Sequence, residues 1–360
     1  MADKNSKSLP FKVLLIKPSS LGDILHALPT VEIIKEKYPD AVIDWMVAPQ
    51  FAPLLGLHPG IRGKIIFRRK ELGRLFSFFP SFLKLVRELR AEKYDMVIDM
   101  QGLLRSSFFA RLARAKEYWG FSDTREKTAS FLYNRKVKVP ENKVHAAEKN
   151  LFLVCEAMRL PFRIPSWTPP LNESAAASLE KILAAEGIQK GKTFVGIVPG
   201  ARWKSKEWPQ EFFANVISRI SSEMPSVEFI LIGSGDDSET ASGIRRLSAS
   251  NAVVHDMTDK TNMSELVELV RKCRAVLSND SGPMHIAAIL NVFVFALFGS
   301  TDPEKTGPFG KLNEVFIADK GCIKCMKRYC LDGSYGCHSS IDPGMAAKRI
   351  LQFLKNNGEK

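Results

Sequence analysis

Short apolar runs alternate with amphipathic stretches along the whole chain. The apolar runs cover residues 12–17, 41–47, 94–100, 193–198, 227–233, 274–279 and 292–299. Apolar residues at helical spacing recur at 23–38, 80–92, 145–158 and between the four later runs. Strands that alternate with helices predict βαβ units and parallel sheets, so we expect an α/β fold.

A proline-rich segment divides this pattern. Four prolines fall within residues 161–170, a composition typical of an extended linker. A chain of 360 residues is also long enough for two cores. We therefore predict two doubly wound, Rossmann-like domains that face each other across a cleft. Their expected bounds are 1–170 and 171–343.

The loop after the first apolar run, PSSLGD, ends in Gly22 and Asp23. An acidic residue at this place is explained in two ways. It caps the helix that follows, or it serves as a catalytic base at the carboxyl end of a buried strand. The local sequence is compatible with both, and helix capping does not prevent catalysis.

Three loops of the second half carry polar residues after an apolar run. PGARWKSKEWP contains Lys206, which can meet a phosphate as a point charge. In SNDSGPMH, Asp280, Ser281 and Gly282 precede a helix whose first N–H groups favour an anion, although Asp280 or Ser281 also suits simple capping. IGSGDD places Asp237 where an acid can bind ribose hydroxyls.

The net charge of +13 is unevenly spread along the chain. The first 175 residues carry 29 Lys and Arg against 18 Asp and Glu, whereas the rest carries 23 against 21. Such an excess favours an anionic partner, which could be nucleic acid, anionic lipid or a phosphorylated substrate. A leader peptide and a membrane-spanning run are not visible, so we expect a cytoplasmic protein; binding at a membrane surface stays open.

Several function classes lack their sequence signature. No GxGxxG follows the first strand of either half and no GxxxxGK[ST] occurs, which disfavours a dehydrogenase and a P-loop NTPase. Zinc-finger spacing, helix-turn-helix and RNP patterns are likewise missing, so a nucleic-acid-binding protein is a remote alternative.

Four cysteines crowd into the C-terminal part, with the spacing C-x2-C-x4-C-x6-C. They are Cys322, Cys325, Cys330 and Cys337. Four thiols suffice for a tetrahedral structural zinc site, and in a cytoplasmic chain a metal is more plausible than disulfides. Reduced cysteines in a compact loop are the alternative.

The order of these motifs resembles the ADP-heptose:lipopolysaccharide heptosyltransferases of glycosyltransferase family 9, the first-heptose enzymes more than the second. The matching segments are KPSSLGDILHALP, DWMV, YDMVIDMQGLLRSS, TREKTASFLYNRK, KEWP, NDSGPMHIAA and FGSTDPEKTGP. The resemblance implies the GT-B arrangement, in which the N-terminal domain binds the acceptor and the C-terminal domain binds the nucleotide sugar. It also implies an inverting transfer that needs no metal or other cofactor, and a final helix, 344–360, that packs back on the first domain.

The resemblance assigns roles residue by residue. Asp23 matches the general base, and the donor ADP-heptose would be bound by Lys206, Asp280, Ser281, Gly282, His285 and Asp237. The implied acceptor is an anionic glycolipid of the Kdo2-lipid A type, at the cytoplasmic side of the inner membrane. Its candidate contacts are Ser20, Gly22, Arg68, Arg69, Arg105 and Arg125. A second-heptose enzyme, or a transferase that uses another nucleotide sugar, stays an alternative.

Overall fold

The computed structural model describes residues 10–69, 71–73, 78–189, 191–330 and 336–356. The chain forms two compact units, Met1–Trp167 and Thr168–Lys360. The division falls inside the proline-rich segment at which we place the domain boundary. Within the described residues, no helix is long and apolar enough to cross a bilayer.

The first unit is built on a six-stranded sheet. Its strands are β1 (Lys12–Ile16), β2 (Val42–Val47), β3 (Ile61–Ile66), β4 (Lys93–Asp99), β5 (Arg114–Phe121) and β6 (Arg135–Val137). Its helices are α1 (Leu21–Ala27), α2 (Thr30–Lys37), α3 (Phe78–Arg90), α4 (Leu104–Leu112) and α5 (Ala146–Met158), and 3-10 segments cover Pro49–Leu57, Glu71–Gly73 and Lys127–Leu132. The strands lie in the order β3-β2-β1-β4-β5-β6, and neighbours pair in parallel.

The second unit repeats this plan. Its strands are β7 (Thr193–Val198), β8 (Val227–Leu231), β9 (Val254–Asp256), β10 (Cys273–Asn279), β11 (Phe293–Phe298) and β12 (Asn313–Ile317). Its helices are α6 (Glu173–Ala185), α7 (Gln210–Glu223), α8 (Ser238–Leu247), α9 (Met263–Lys272), α10 (Gly282–Ile289), α11 (Pro303–Thr306) and α12 (Pro343–Asn356), with 3-10 turns at Lys204–Lys206, Gly235–Asp237 and Gly336–Ser340. The order β12-β11-β10-β7-β8-β9 is again parallel throughout the described strands.

The two orders are the same doubly wound arrangement, which confirms the predicted α/β fold. In each unit the first strand lies between the second and the fourth, so the direction of winding changes between β1 and β4 and between β7 and β10. Ligands of such sheets bind at the carboxyl ends of the strands beside this switch point. The topology therefore marks one edge of each sheet as the place for chemistry.

The central strands of both sheets are almost wholly apolar because they lie in the hydrophobic cores of the two units. In β1, residues Val13 to Ile16 are fully buried, and helices cover both faces of a parallel sheet of this kind. Leu85 and Leu89 of α3 and Phe109 of α4 pack on one face of the first sheet. Burial of such side chains stabilises the fold by about 1.5 to 3 kcal/mol each.

The segment 23–38, predicted as one helix, forms α1 and α2. Pro29 separates them because proline has no N–H to donate to a carbonyl of the preceding turn. Thr30 Oγ1 donates to the Ala27 carbonyl at 2.6 Å, which ties the two helices at the break.

The C-terminal helix differs from the expectation. We expected it to pack on the first domain, but the apolar face of α12 belongs to the core of the second unit. Ala347, Ile350 and Leu354 of α12 pack in one cluster with residues of α7, and the Phe353 ring lies 4.3 Å from that of Phe293. An amphipathic helix buries its face wherever an apolar surface is within reach of its linker, and the second unit offers that surface directly.

Candidate functional site

The carboxyl ends of β7 and β10 bring two loops together in the second unit. Asn279, the buried last residue of β10, joins them. Its side-chain N–H donates to the Pro199 carbonyl at 2.6 Å, and its side-chain oxygen accepts from the Trp208 N–H at 3.2 Å. The loop after β7 and the turn after β10 are thereby fixed against each other without help from a ligand.

Lys206 and Asp280 form an ion pair between these loops. Lys206 Nζ lies 2.7 Å from Asp280 Oδ2, which also accepts from Thr301 Oγ1 at 2.7 Å. The side chains of Lys206 and Asp280 are 15% and 6% exposed, so water screens the pair little. Asp280 therefore aims the Lys206 ammonium, and Thr301, which sequence analysis missed, holds Asp280.

Helix α10 begins directly behind this pair. Ser281 is its N-cap residue and Gly282 its first residue, and the Ser281 hydroxyl lies 3.3 Å from that of Ser278. Backbone N–H groups at the start of a helix attract anions. His285 lies in the same helix and is 7% exposed. The structure thus places these three predicted donor residues at the same sheet edge as Lys206 and Asp280.

Asp237 lies one strand away from the switch point, after β8. The N–H and hydroxyl of Ser234 donate to Asp237 Oδ2 at 2.7 and 3.0 Å, which caps the turn. A Cβ atom at Gly200 or Gly233 would overlap the Asp237 side chain, so the carboxylate lies against the loop after β7. Its role in ribose binding stays a prediction.

In the first unit, Asp23 follows β1, which lies at the switch point of its sheet as β7 does in the second unit. The N–H and hydroxyl of Ser20 both donate to Asp23 Oδ2 at 2.9 Å, the reach-back half of a capping box at the start of α1. Asp23 is half-buried, whereas Gly22 is buried. Among the hydrogen bonds of the described residues, those of Asp23 end on Oδ2. The other oxygen is left for a further partner.

Two charged residues at the same sheet edge were missed by sequence analysis. Asp99 ends β4, is fully buried, and accepts from the Tyr133 hydroxyl at 2.7 Å and from the Gln101 N–H at 2.8 Å. Burial raises the pKa of its carboxyl group. Lys17 follows β1, is 7% exposed, and donates to the Met100 carbonyl at 2.8 Å. The sequence feature that could have identified both residues is a charged residue at the end of an apolar strand.

The predicted acceptor arginines are exposed and lie on both sides of the Asp23 loop. Arg68 and Arg69 follow β3, Arg105 lies in the first turn of α4, and Arg125 follows β5. The Glu126 carboxylate accepts from the Leu104 N–H at 2.7 Å, which joins the loop of Arg125 to the start of α4. The segments that carry Arg105 and Arg125 are therefore adjacent, whereas Arg68 and Arg69 belong to the β3 side of the sheet.

The cysteine cluster does not form a metal centre in the described geometry. Cys322 and Cys325 are exposed, Cys330 is half-buried and Cys337 is buried, and these four residues form no disulfide. Among the described residues no group of three or more His, Cys, Asp or Glu is arranged to hold a metal ion. Cys337 instead packs under Gly299, where burial raises its thiol pKa. Zinc binding by the four cysteines, with reduced cysteines as the alternative, stays a prediction.

His338 is a further residue that the sequence did not single out. It is 1% exposed, packs against Gly299, and its two ring nitrogens have no hydrogen-bond partner among the described residues. Burial lowers its pKa to about 4; the Asp280 charge opposes this effect and the Lys206 charge adds to it. The neutral imidazole therefore lies within electrostatic reach of the Lys206–Asp280 pair.

Comparison with known protein families matches residues 82–335 to glycosyltransferase family 9 (heptosyltransferase). The chain is 29% identical over 326 residues to lipopolysaccharide heptosyltransferase 1 of Pseudomonas aeruginosa, which covers 89% of this chain and 87% of that protein. It is 28% identical over 359 residues to lipooligosaccharide heptosyltransferase 2 of Haemophilus influenzae, with 95% and 99% covered.

A solved structure shows the same fold. The E. coli heptosyltransferase WaaC with ADP superposes with a TM-score of 0.75 at 23% sequence identity, over 97% of this chain and 100% of that one. The agreement over full length extends the similarity to the described parts of both units.

The buried His338 gives the stability of the protein a specific pH dependence. Its pKa falls from 6.5 in the unfolded chain to about 4 in the fold, so the unfolded state binds more protons between these values. The stability is therefore complete above pH 6.5 and is lost as the pH falls towards 4. From pH 7 to pH 4.5 this group accounts for a loss of about 2 kcal/mol.

His338→Gln removes this titration and keeps a polar side chain of similar size. We expect urea unfolding, followed by tryptophan fluorescence at both pH values, to show a smaller loss in the variant by about 2 kcal/mol. Equal losses in the two proteins would contradict a neutral, buried His338.

Proposed function

The chain belongs to glycosyltransferase family 9, the heptosyltransferases, and from that membership we propose that it transfers heptose from ADP-heptose to the inner core of a lipopolysaccharide precursor. The enzyme is thus a glycosyltransferase that acts on the lipopolysaccharide core. We further propose that it adds the first heptose, to a Kdo2-lipid A acceptor, because its motifs resemble those of the first-heptose enzymes more. Addition of the second heptose is the alternative.

The proposed binding of the nucleotide-sugar donor rests on the Lys206–Asp280–Thr301 arrangement at the β7–β10 switch point. A nucleoside diphosphate leaves with growing negative charge, which needs positive groups that are already in place. The aimed ammonium of Lys206 and the N–H groups at the start of α10 provide them. In this proposal Asp237 binds the ribose, and no cofactor takes part.

Asp23 is the base in the proposed reaction. The acceptor hydroxyl oxygen attacks the anomeric carbon and its proton passes to Asp23 Oδ1, while the bond from that carbon to the phosphate oxygen breaks and ADP leaves with the electron pair. Attack from the side opposite the leaving group inverts the anomeric centre. The hydrogen bonds from Ser20 hold the carboxylate by Oδ2, which orients Oδ1.

The arginines of the first unit suit an acceptor with carboxylate and phosphate groups. A guanidinium binds either anion with two parallel hydrogen bonds. Arg105 and Arg125 lie on adjacent segments at the start of α4, and Arg68 and Arg69 follow β3 on the other side of Asp23. The acceptor hydroxyl is proposed to reach Asp23 between these two pairs, beside Ser20 and Gly22. The basic charge thus serves an anionic glycolipid, without a nucleic-acid partner.

We also propose that the first unit docks on the cytoplasmic surface of the inner membrane. Phe79 and Leu83 of α3 are 70% and 58% exposed, Phe108 of α4 is 45% exposed, and Phe131 beside α4 is 77% exposed. Rings of α3 and α4 stack through Phe82 and Phe108, with centroids 6.5 Å apart. We call the four exposed residues the α3–α4 apolar face.

The positive charge near the α3–α4 apolar face indicates which kind of surface this face binds. The elements that carry this face also carry exposed cations: Lys84, Arg87, Arg105 and Lys127. Exposed apolar side chains on elements rich in lysine and arginine are typical of binding to an anionic lipid surface, where the apolar groups enter the acyl boundary. Such docking would also bring the first unit to a lipid-anchored acceptor.

The proposed activity is tested by ADP release from ADP-heptose. We expect ADP release from ADP-heptose with Kdo2-lipid A as acceptor, and no release of UDP when UDP-glucose replaces ADP-heptose as donor. Release with a heptosylated acceptor alone would move the assignment to the second heptose, and no release with either acceptor would overturn the proposed function.

The proposed base is tested by Asp23→Asn, which keeps an oxygen to accept from Ser20 but cannot take a proton. We expect kcat to fall by about 100-fold or more while the Kd for ADP and the Tm stay near those of the wild type. Asp40→Asn, an exposed change just before β2 at the opposite edge of the sheet, is the matched control. Wild-type turnover in Asp23→Asn would show that Asp23 caps helix α1 and is not the base.

The docking surface is tested by Phe79→Ser combined with Leu83→Ser. We expect the wild type to co-sediment with phosphatidylcholine vesicles that contain phosphatidylglycerol, and the variant to bind about tenfold less or worse. Leu312→Ser, a similarly exposed leucine of the second unit, serves as control. Equal binding of variant and wild type would exclude this face.

A further inference from the structure

A basic segment after β12 lies directly on the loops of the proposed donor site. We call residues 321–328, GCIKCMKR, the basic strap. The Lys324 N–H donates to the Gly299 carbonyl at 2.7 Å, and the Met326 N–H donates to the Ser300 carbonyl at 2.8 Å. Lys324 and Met326 both have a φ of 57°, so the chain turns tightly at each. The strap therefore follows the loop that carries Thr301.

The same strap is tied to the turn that carries Lys206. The Ser205 N–H donates to the Arg328 carbonyl at 3.2 Å, and the Ser205 hydroxyl donates to the Lys327 carbonyl. Ser205 is buried, and its hydroxyl also lies 3.1 Å from that of Ser300. These bonds fix the backbone of residue 328 beside the Lys204–Lys206 turn, whatever side chain residue 328 carries.

Two cations share one aromatic ring at this point. Lys206 Nζ lies 4.7 Å from the centroid of the Trp203 ring, and the central carbon of the Arg328 guanidinium lies 5.8 Å from it. Both distances fall within the range of cation–π attraction. Trp203 thus holds the Arg328 side chain close to the ammonium that the proposed mechanism places on the diphosphate.

The local charges are not balanced. Lys206 pairs with Asp280, and Lys324 pairs with Asp302 at 3.0 Å. For Arg328 the described residues record no carboxylate partner. Arg328 is therefore an exposed guanidinium that no recorded carboxylate compensates, next to a second cation, and such a pair of cations suits a ligand with two adjacent negative groups.

We propose that Arg328 is a donor-binding residue that contacts the diphosphate of the nucleotide sugar together with Lys206. This inference rests on the proposed function and adds to it a residue outside the donor motifs. The two cations contact the diphosphate in different ways. Lys206 is a buried point charge aimed by Asp280, whereas the planar guanidinium of Arg328 can bind two phosphate oxygens at once and reaches the ligand from the solvent side.

The test compares Arg328→Gln with Lys327→Gln. Both remove one exposed positive charge from neighbouring positions of the strap, and both keep the backbone carbonyls that bind Ser205. By isothermal titration calorimetry we expect the Kd for ADP to rise about tenfold in Arg328→Gln and to change less than twofold in Lys327→Gln. The affinity for adenosine, which lacks the diphosphate, should be the same in all three proteins.

Arg328→Lys is a second test variant, in which the positive charge is retained and the Kd for ADP is again measured. We expect it to restore part of the affinity, because an ammonium keeps the attraction but loses the bidentate geometry. An unchanged Kd for ADP in Arg328→Gln, or an equal loss of adenosine binding, would overturn the inference. If the wild type itself bound no ADP, the proposed function would fail first, so the two failures are distinguishable.

Discussion

Parallel pairing of the strands is the constraint on which the rest of this molecule depends. When the strands of a sheet run in one direction, their carboxyl ends meet at one edge, and every loop at that edge delivers its polar residues to the same place. In the second unit this rule brings Lys206 after β7, Asp280 after β10 and Thr301 after β11 into hydrogen-bond contact, although 95 positions separate the first from the last. In the first unit it brings Asp23 and the buried Asp99 to neighbouring strand ends.

The capping of Asp23 is a local device that the chain uses twice. Ser20 with Asp23 and Ser234 with Asp237 make the same pair of hydrogen bonds, in each case from N–H and hydroxyl to Oδ2. The bonds therefore do not distinguish a structural from a catalytic acid. The positions of the two acids differ: Asp23 follows the first strand of its sheet, at the switch point, whereas Asp237 follows the second and lies against Gly200 and Gly233. Capping and the proposed catalysis are compatible at Asp23 because they use different oxygens.

The second unit holds positive charge in two different ways. Lys206 is largely shielded from water and fixed by Asp280, so its charge is held at a defined point. Arg328 is exposed and held by Trp203 and by the backbone bonds of Ser205. The same bonds join the basic strap to the two loops that carry Lys206 and Thr301. The buried, neutral His338 lies beneath the same loops.

The fold class and the central strands followed from the sequence, because strands covered on both faces must be largely apolar, as in β1, β2, β4, β7, β8, β10 and β11. It also located the loops with Asp23, Lys206 and Asp280, and the resemblance supplied their expected roles. The strands β3, β5, β6, β9 and β12 escaped prediction, since partly exposed strands carry polar residues that also suit loops. Tertiary structure alone decided where α12 packs, that Thr301 and His338 adjoin Asp280, and that Arg328 meets Trp203. These are contacts between residues far apart in the chain, and no local pattern encodes them.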